Sequence, residues 1–199
     1  SLSSNSILTG NRFNTSQAVG VYVVGTTQTH YNQSIDATNL AEGYPINYTY
    51  NTNNTVVALN LNATNVYGQM ICAYCNNVTY QNVTMANDGF SLFGSNNALI
   101  NNSVVLTSKG YGVFVVGSSS TNLMNNTLNL LNITTNTNSN LYGVYLSSAG
   151  GNNVTSNNIS TTGSKGYGIY LYVSSKNNVT NNNVTTSLAD GYGIWLYAT

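Results

Sequence analysis

Charge is almost missing from this chain. Among 199 residues, four are Lys or Arg and four are Asp or Glu, so the formal net charge is zero. Arg12, Lys109, Lys165 and Lys176 stand scattered against Asp36, Glu42, Asp88 and Asp190. No basic stripe exists for nucleic acid or an anionic membrane surface, so neither is an expected partner. Proline occurs once, at Pro45, and no apolar run approaches the roughly 18 residues of a membrane-spanning helix. No basic, apolar leader opens the segment, so any secretion signal is expected outside it. Cysteine is limited to Cys72 and Cys75, and His30 is the only histidine. A zinc site takes a fourfold ligand set, and with so few candidates no metal or cofactor is expected. The C-x-x-C spacing also occurs in redox sites. Two residues three apart on one extended strand, however, point to opposite faces, which disfavours a mutual disulfide unless the strand bends. Buried, unreactive thiols are therefore the expectation, with a disulfide as the alternative.

What the chain has in abundance is asparagine, 37 residues of it. Composition alone would suggest a low-complexity polar chain, but Val, Ile, Leu and Tyr recur at fixed offsets, and these types suit a half-buried pleated surface. The segments VGVYVVG, YGVFVVG, YGVYLSS, YGIYLYV and YGIWLYA place a glycine at Gly20, Gly112, Gly143, Gly168 and Gly193, with weaker copies at Gly68 and Gly89. Successive intervals are 48, 21, 23, 31, 25 and 25 residues, a period with one double step and one longer loop, as a solenoid with insertions produces. Within GIYLY, Ile169 and Leu171 share one face while Tyr170 and Tyr172 share the other, which is strand periodicity. Further apolar pairs follow, Val154 with Ile159 and Val179 with Val184, separated by Asn-rich turns. No window carries a helical stripe. The expected fold is therefore all-β: one right-handed parallel β-helix of about eight coils over residues 1–199, with an irregular excursion around residues 28–66.

Joining Ala198 and Thr199 to Ser1 continues the repeat, with Leu8 and Phe13 in the places of Val179 and Val184 and a step of 26 residues from Gly193 to the next Gly20. The domain is thus expected to begin and end in mid-coil. The expected partners are further copies of itself, head to tail, in covalent tandem or as stacked subunits. A heterologous contact that does not close makes a filament.

The stretches QSIDATNLAEGYPINYTY (Gln33 to Tyr50) and CNNVTYQNVTMANDGFSLF (Cys75 to Phe93) resemble the NosD-like parallel β-helix repeat proteins, a group abundant among archaeal surface and secreted proteins. The resemblance covers nearly the whole chain. It implies a β-helix in a cell-surface context and little about chemistry, since copper association belongs to particular members; the expected location is extracellular, at a cell surface or in a filament.

Fourteen asparagines satisfy the N-glycosylation sequon: Asn14, Asn32, Asn47, Asn53, Asn62, Asn77, Asn82, Asn101, Asn125, Asn132, Asn153, Asn158, Asn178 and Asn183. So many Asn, Ser and Thr would generate sequons by chance. The low charge nevertheless favours covalently attached glycans as the agent that keeps the surface wet. Asparagines facing inward in ladders should be unmodified. Two residues after the glycines stand Tyr22, Phe114, Tyr145, Tyr170 and Trp195, an outward aromatic stripe that could stack sugars or contact protein unless neighbouring rings cover it. A polysaccharide-active enzyme is the rival class, but it needs clustered carboxylates, and these four acids fall on different coils. The expected function is thus non-enzymatic: a glycosylated structural building block, with a carbohydrate- or surface-binding module as the alternative.

Overall fold

The computed structural model describes residues 4–15, 19–58, 66–107, 110–129, 131–135, 141–187 and 189–198. Twenty-three strands follow in chain order. The first four are short: β1 (Ile7–Leu8), β2 (Arg12–Phe13), β3 (Ser34–Ile35) and β4 (Leu40–Ala41). Thereafter strands come in threes: β5 (Tyr44–Tyr50), β6 (Asn53–Ala58) and β7 (Val66–Tyr67); β8 (Gln69–Ala73), β9 (Asn76–Gln81) and β10 (Thr84–Met85); β11 (Phe90–Phe93), β12 (Leu99–Asn101) and β13 (Val104–Thr107). The pattern continues through β14 (Val113–Leu123), β15 (Thr127–Asn129) and β16 (Asn132–Thr135); β17 (Val144–Gly150), β18 (Asn153–Thr155) and β19 (Asn158–Thr161); and β20 (Ile169–Tyr172), β21 (Asn178–Thr180) and β22 (Asn183–Thr186). The strand β23 (Ile194–Tyr197) opens another turn.

Every third strand pairs in parallel with the one a turn away, giving three sheets. Their orders are β5-β8-β11-β14-β17-β20-β23, with β4 and β2 added beyond β5; β6-β9-β12-β15-β18-β21; and β7-β10-β13-β16-β19-β22. The molecule is a three-sided parallel β-solenoid of about seven turns, close to the eight expected. Among the described residues the only helix is one 3₁₀ turn, Gln28–Tyr31.

Sequence periodicity carries directly into packing. Inward positions of the first sheet are Met70 and Cys72, Phe90 and Leu92, Val113 and Val115, Val144 and Leu146, then Ile169 and Leu171. The other two sheets add Val78, Ile100, Leu128 and Val154, and Met85, Val105, Ile133 and Ile159, all in one apolar core. Corners are turned by single residues at positive φ. Asn82, Asn102, Ser156 and Asn181 serve one corner, and Asn97, Asn125, Gly151 and Lys176 another. Asparagine tolerates this left-handed conformation better than other side chains, which is one physical reason for its abundance.

Glycines precede the first-sheet strands because the next turn lies directly above them. A Cβ on Gly89 would stand 1.8 Å from the Gly112 carbonyl oxygen; on Gly112, 2.4 Å from that of Gly143; on Gly143, 2.7 Å from that of Gly168; and on Gly168, 2.7 Å from that of Gly193.

Two expectations require correction. Val19–Gly25 carries the repeat sequence but forms no strand. It packs with the 3₁₀ turn onto the outer face of the first sheet, so the 48-residue step is not two coils. The Gln69 side chain imitates a neighbouring strand there, its Oε1 accepting from Val21 N–H at 2.9 Å and its Nε2 donating to Val21 O at 2.7 Å. The chain then returns to pair β1 with β3 and β2 with β4, and β4 runs antiparallel to β5, inside the expected irregular excursion. Second, the extra length between Gly112 and Gly143 resides largely in β14, an 11-residue strand whose register against β17 shifts after Val116.

Candidate functional site

The outer face of the first sheet carries the aromatic stripe, and it is built by register. Phe114 pairs with Tyr145, Tyr145 with Tyr170, and Tyr170 with Trp195. Stacked side chains a strand spacing apart become face-to-face rings, with centroids 4.9, 5.0 and 5.1 Å apart along that series. Tyr22 arrives from the crossing segment and stacks on Phe114 at 6.3 Å. The column extends to Ser91 and Ile71; Met70, two residues after Gly68, pairs with Phe90 and points into the core, because the register there is offset by one residue relative to Gly68.

A second column, not singled out in the sequence, stands beside the first: Tyr111, Tyr142, Tyr167 and Tyr192, at 5.5, 5.1 and 5.4 Å. Its signal was present, since each of these tyrosines immediately precedes a repeat glycine. The columns interlock edge to face, as Tyr142 does on Tyr170 at 4.9 Å and Tyr167 on Trp195 at 4.4 Å. Phe114 and Tyr170 are consequently buried, Tyr145 and Trp195 half-buried, and only Tyr22 is well exposed. Ring faces that a sugar would stack upon are occupied by other rings. Burial, followed by mutual repulsion among the phenolates, raises the pKa of Tyr111 and Tyr142.

Cys72 and Cys75 form a disulfide, which corrects the expectation of free thiols. The bend that spacing could not show is made by Tyr74, at φ 54° between the two cysteines, which brings their Cα atoms to 5.9 Å. Both are buried in the core.

Asparagine divides by pleat. In the Asn-Asn pairs the first residue, Asn152, Asn157, Asn177 or Asn182, faces inward, and the second, Asn153, Asn158, Asn178 or Asn183, belongs to a sequon and faces out. The inward set forms ladders. Asn157 Oδ1 accepts from Leu131 N–H at 3.0 Å, Asn157 Nδ2 donates to Leu128 O at 3.1 Å, and Asn157 N–H reaches Asn182 Oδ1 at 3.0 Å. A parallel ladder runs through Asn126, Asn152 and Asn177. Of the fourteen sequons, Asn62 lies outside the described residues. Asn14, Asn32, Asn53, Asn77, Asn125, Asn132, Asn158, Asn178 and Asn183 are exposed, and Asn47, Asn82, Asn101 and Asn153 half-buried. Register sets Asn132, Asn158 and Asn183 in one outward column and Asn153 and Asn178 in another.

The acids stand apart in backbone-capping roles. Asp88 Oδ2 accepts from Gly20 N–H at 2.7 Å, Glu42 Oε1 from Thr15 N–H at 2.7 Å, and Asp36 Oδ1 from Thr38 N–H at 3.1 Å. Asp190 occupies a positive-φ turn.

Ile169 and Leu171 are 0 % and 7 % exposed, whereas their equivalents one turn on, Ile194 and Leu196, are 50 % and 68 % exposed. β21, β22 and β23 are the terminal strands of their sheets.

Fold and surfaces together define a β-solenoid repeat protein, assembled from like residues stacked on like. The chain belongs to the NosD family, described as periplasmic copper-binding protein (NosD), whose sequence profile matches residues 4–199. No curated protein and no solved structure matches it. The residues present do not fit a copper centre. Both cysteine sulfurs are spent in the disulfide, His30 Nδ1 accepts from the N–H groups of Thr26 and Thr27, and Met70, Met85 and Met124 lie in the apolar core. No group of three or more His, Cys, Asp and Glu exists among the described residues. No helix there is long and apolar enough to cross a membrane.

Proposed function

We propose that this chain is a non-catalytic, glycan-bearing structural module of an extracytoplasmic fibre or cell surface, extended by end-to-end stacking of coils. The observation that carries this reading is the register that stacks like residues on like from turn to turn, with sequon asparagines Asn132, Asn158 and Asn183 in one outward column and Asn153 and Asn178 in another. A solenoid of like turns extends by adding further turns of the same kind, and a contact of one end with the other continues indefinitely. The disulfide favours an oxidising compartment, in keeping with the periplasmic description of the family. Outward columns of sequon asparagines supply glycan attachment points on a surface with little charge. Separate, backbone-capping acids support the absence of catalysis, and the interlocked rings count against a sugar-stacking role.

Electron microscopy of the native material is the test. A continuous fibre with coils about 4.8 Å apart and density hanging from several sequon asparagines is the expected result. Discrete particles with bare asparagines would overturn it.

A further inference from the structure

We infer that Tyr111 and Tyr142 form a covalent modification site, at which one-electron oxidation joins the two rings carbon to carbon and ties neighbouring turns of the solenoid together. This chemistry is intramolecular and independent of how copies associate.

Register fixes the proximity. Tyr111 and Tyr142 stack at 5.5 Å with their ring planes 17° apart, and Tyr142 stacks in turn on Tyr167 at 5.1 Å and 4°. The backbone holds them there, for Gly112 N–H donates to Tyr142 O at 3.1 Å and Gly143 N–H to Tyr167 O at 3.0 Å. Two phenols from different turns are thus held side by side before any reaction, which removes the entropic cost of bringing them together.

Access singles out this pair. Tyr111 and Tyr142 are half-buried, within reach of a small oxidant, whereas Tyr167 is 6 % exposed. Both rings also meet Tyr145 edge to face, at 5.4 and 5.3 Å. An electron vacancy formed on any of the three has the other two as neighbours.

Competitors for oxidation are withdrawn. Thiols and thioethers are oxidised readily, but both cysteines are spent in the disulfide, and Met70, Met85 and Met124 are at most 2 % exposed. The compartment that the disulfide favours is itself oxidising. Tyrosine is therefore the abundant oxidisable group at the surface, and here it is paired.

The coupling balances. Each phenol gives up one electron and its hydroxyl proton, which leaves a radical shared with the ring carbons beside the oxygen-bearing carbon. One such carbon from each ring joins in a new C–C bond, and each then passes its hydrogen to its own oxygen, restoring both phenols. Overall the pair loses two electrons, which break the O–O bond of a peroxide, and two protons, which the reduced peroxide or the buffer takes up. Burial, followed by repulsion among the phenolates, keeps both phenols protonated above neutral pH, so proton and electron leave together.

The test illuminates the whole chain with a ruthenium bipyridyl dye and persulfate, a peroxide that yields small one-electron oxidants, and maps the products by fragmentation mass spectrometry. A Tyr111–Tyr142 bond within single molecules, two hydrogen atoms lighter than the parent, is the expected product. It should raise the urea midpoint, because a cross-link restricts the unfolded chain. Tyr142→Phe keeps a stacked ring and should abolish both the bond and the midpoint shift, while Tyr44→Phe, outside the columns, should leave both unchanged. Coupling that falls at random on exposed tyrosines, or forms only between molecules, overturns the site. An equal yield of the same bond from urea-unfolded chain also overturns it, since register would then play no part.

Discussion

Between Val113 and Thr186 the inward apolar and ladder positions have counterparts of their own kind one turn above or below, such as Val113, Val144 and Ile169, or Asn157 and Asn182. Between Val19 and Tyr31 no residue is paired with an equivalent on a neighbouring turn. That segment is held by Gln69, by Asp88, and by the Tyr48 hydroxyl donating to Tyr31 O at 2.5 Å. The regular turns spread their stability over columns, so each residue inherits its environment from its neighbours. The crossing segment depends on a few contacts that occur once, and such segments open locally more easily than columns do.

The contrast can be sharpened by substitution, beginning with the largest effect. Gly168→Ala forces a methyl group to 2.0 Å from Val184 Cγ1 and 2.7 Å from Gly193 O. It should destabilise by about 3 kcal/mol or more in denaturant titration.

The alkaline limb of stability comes next. Burial pushes Tyr80 up to about 12, so the fold prefers the neutral phenol. That stability is whole below the unfolded-state value near 10 and is lost as pH rises from there toward about 12. Tyr80 contributes a loss of about 2 to 3 kcal/mol across that window, and Tyr80→Phe should make the limb shallower by that amount while the part due to Tyr111, Tyr142 and the other raised tyrosines remains.

Within the regular turns, Asn157→Ala strands the N–H of Leu131 and the carbonyl of Leu128 and should cost about 2 kcal/mol. Asn158→Ala, one residue on but outward, should cost less than about 0.5 kcal/mol in unglycosylated protein. Equal effects would mean that the pleat does not divide the asparagines. Smallest of all, Tyr80→Phe at neutral pH should stay within about 0.5 kcal/mol of the parent, because the buried Tyr80 hydroxyl has no well-formed hydrogen bond to lose, only a weak one toward Thr49.

Much of this was legible beforehand, for a physical reason. A solenoid puts residues one period apart in direct contact, so repetition along the chain is contact in space. Ile169, Leu171, Val154 and Val184 could be assigned to the interior, and Tyr145 and Tyr170 to one column, from spacing alone. The second tyrosine column was overlooked because Tyr111 and its equivalents precede the strand and have no alternation to betray them. Even so, they recur as faithfully as the glycines. The Cys72–Cys75 bond was misjudged because strand geometry was extended through Tyr74, where a single positive φ reverses the face that the next residue presents.

Periodicity by itself determined the all-β class, a turn of 21 to 31 residues, the inward and outward faces, and the asparagines at corners, ladders and sequons. Only the tertiary structure decided that VGVYVVG lies across the outer face although its near-twins form strands, that the aromatic rings cover one another, and that the two cysteines meet. Repetition determines which residues share an environment. Whether a given repeat is paired at all depends on what stands next to it, and for Val19–Gly25 that is the Gln69 side chain.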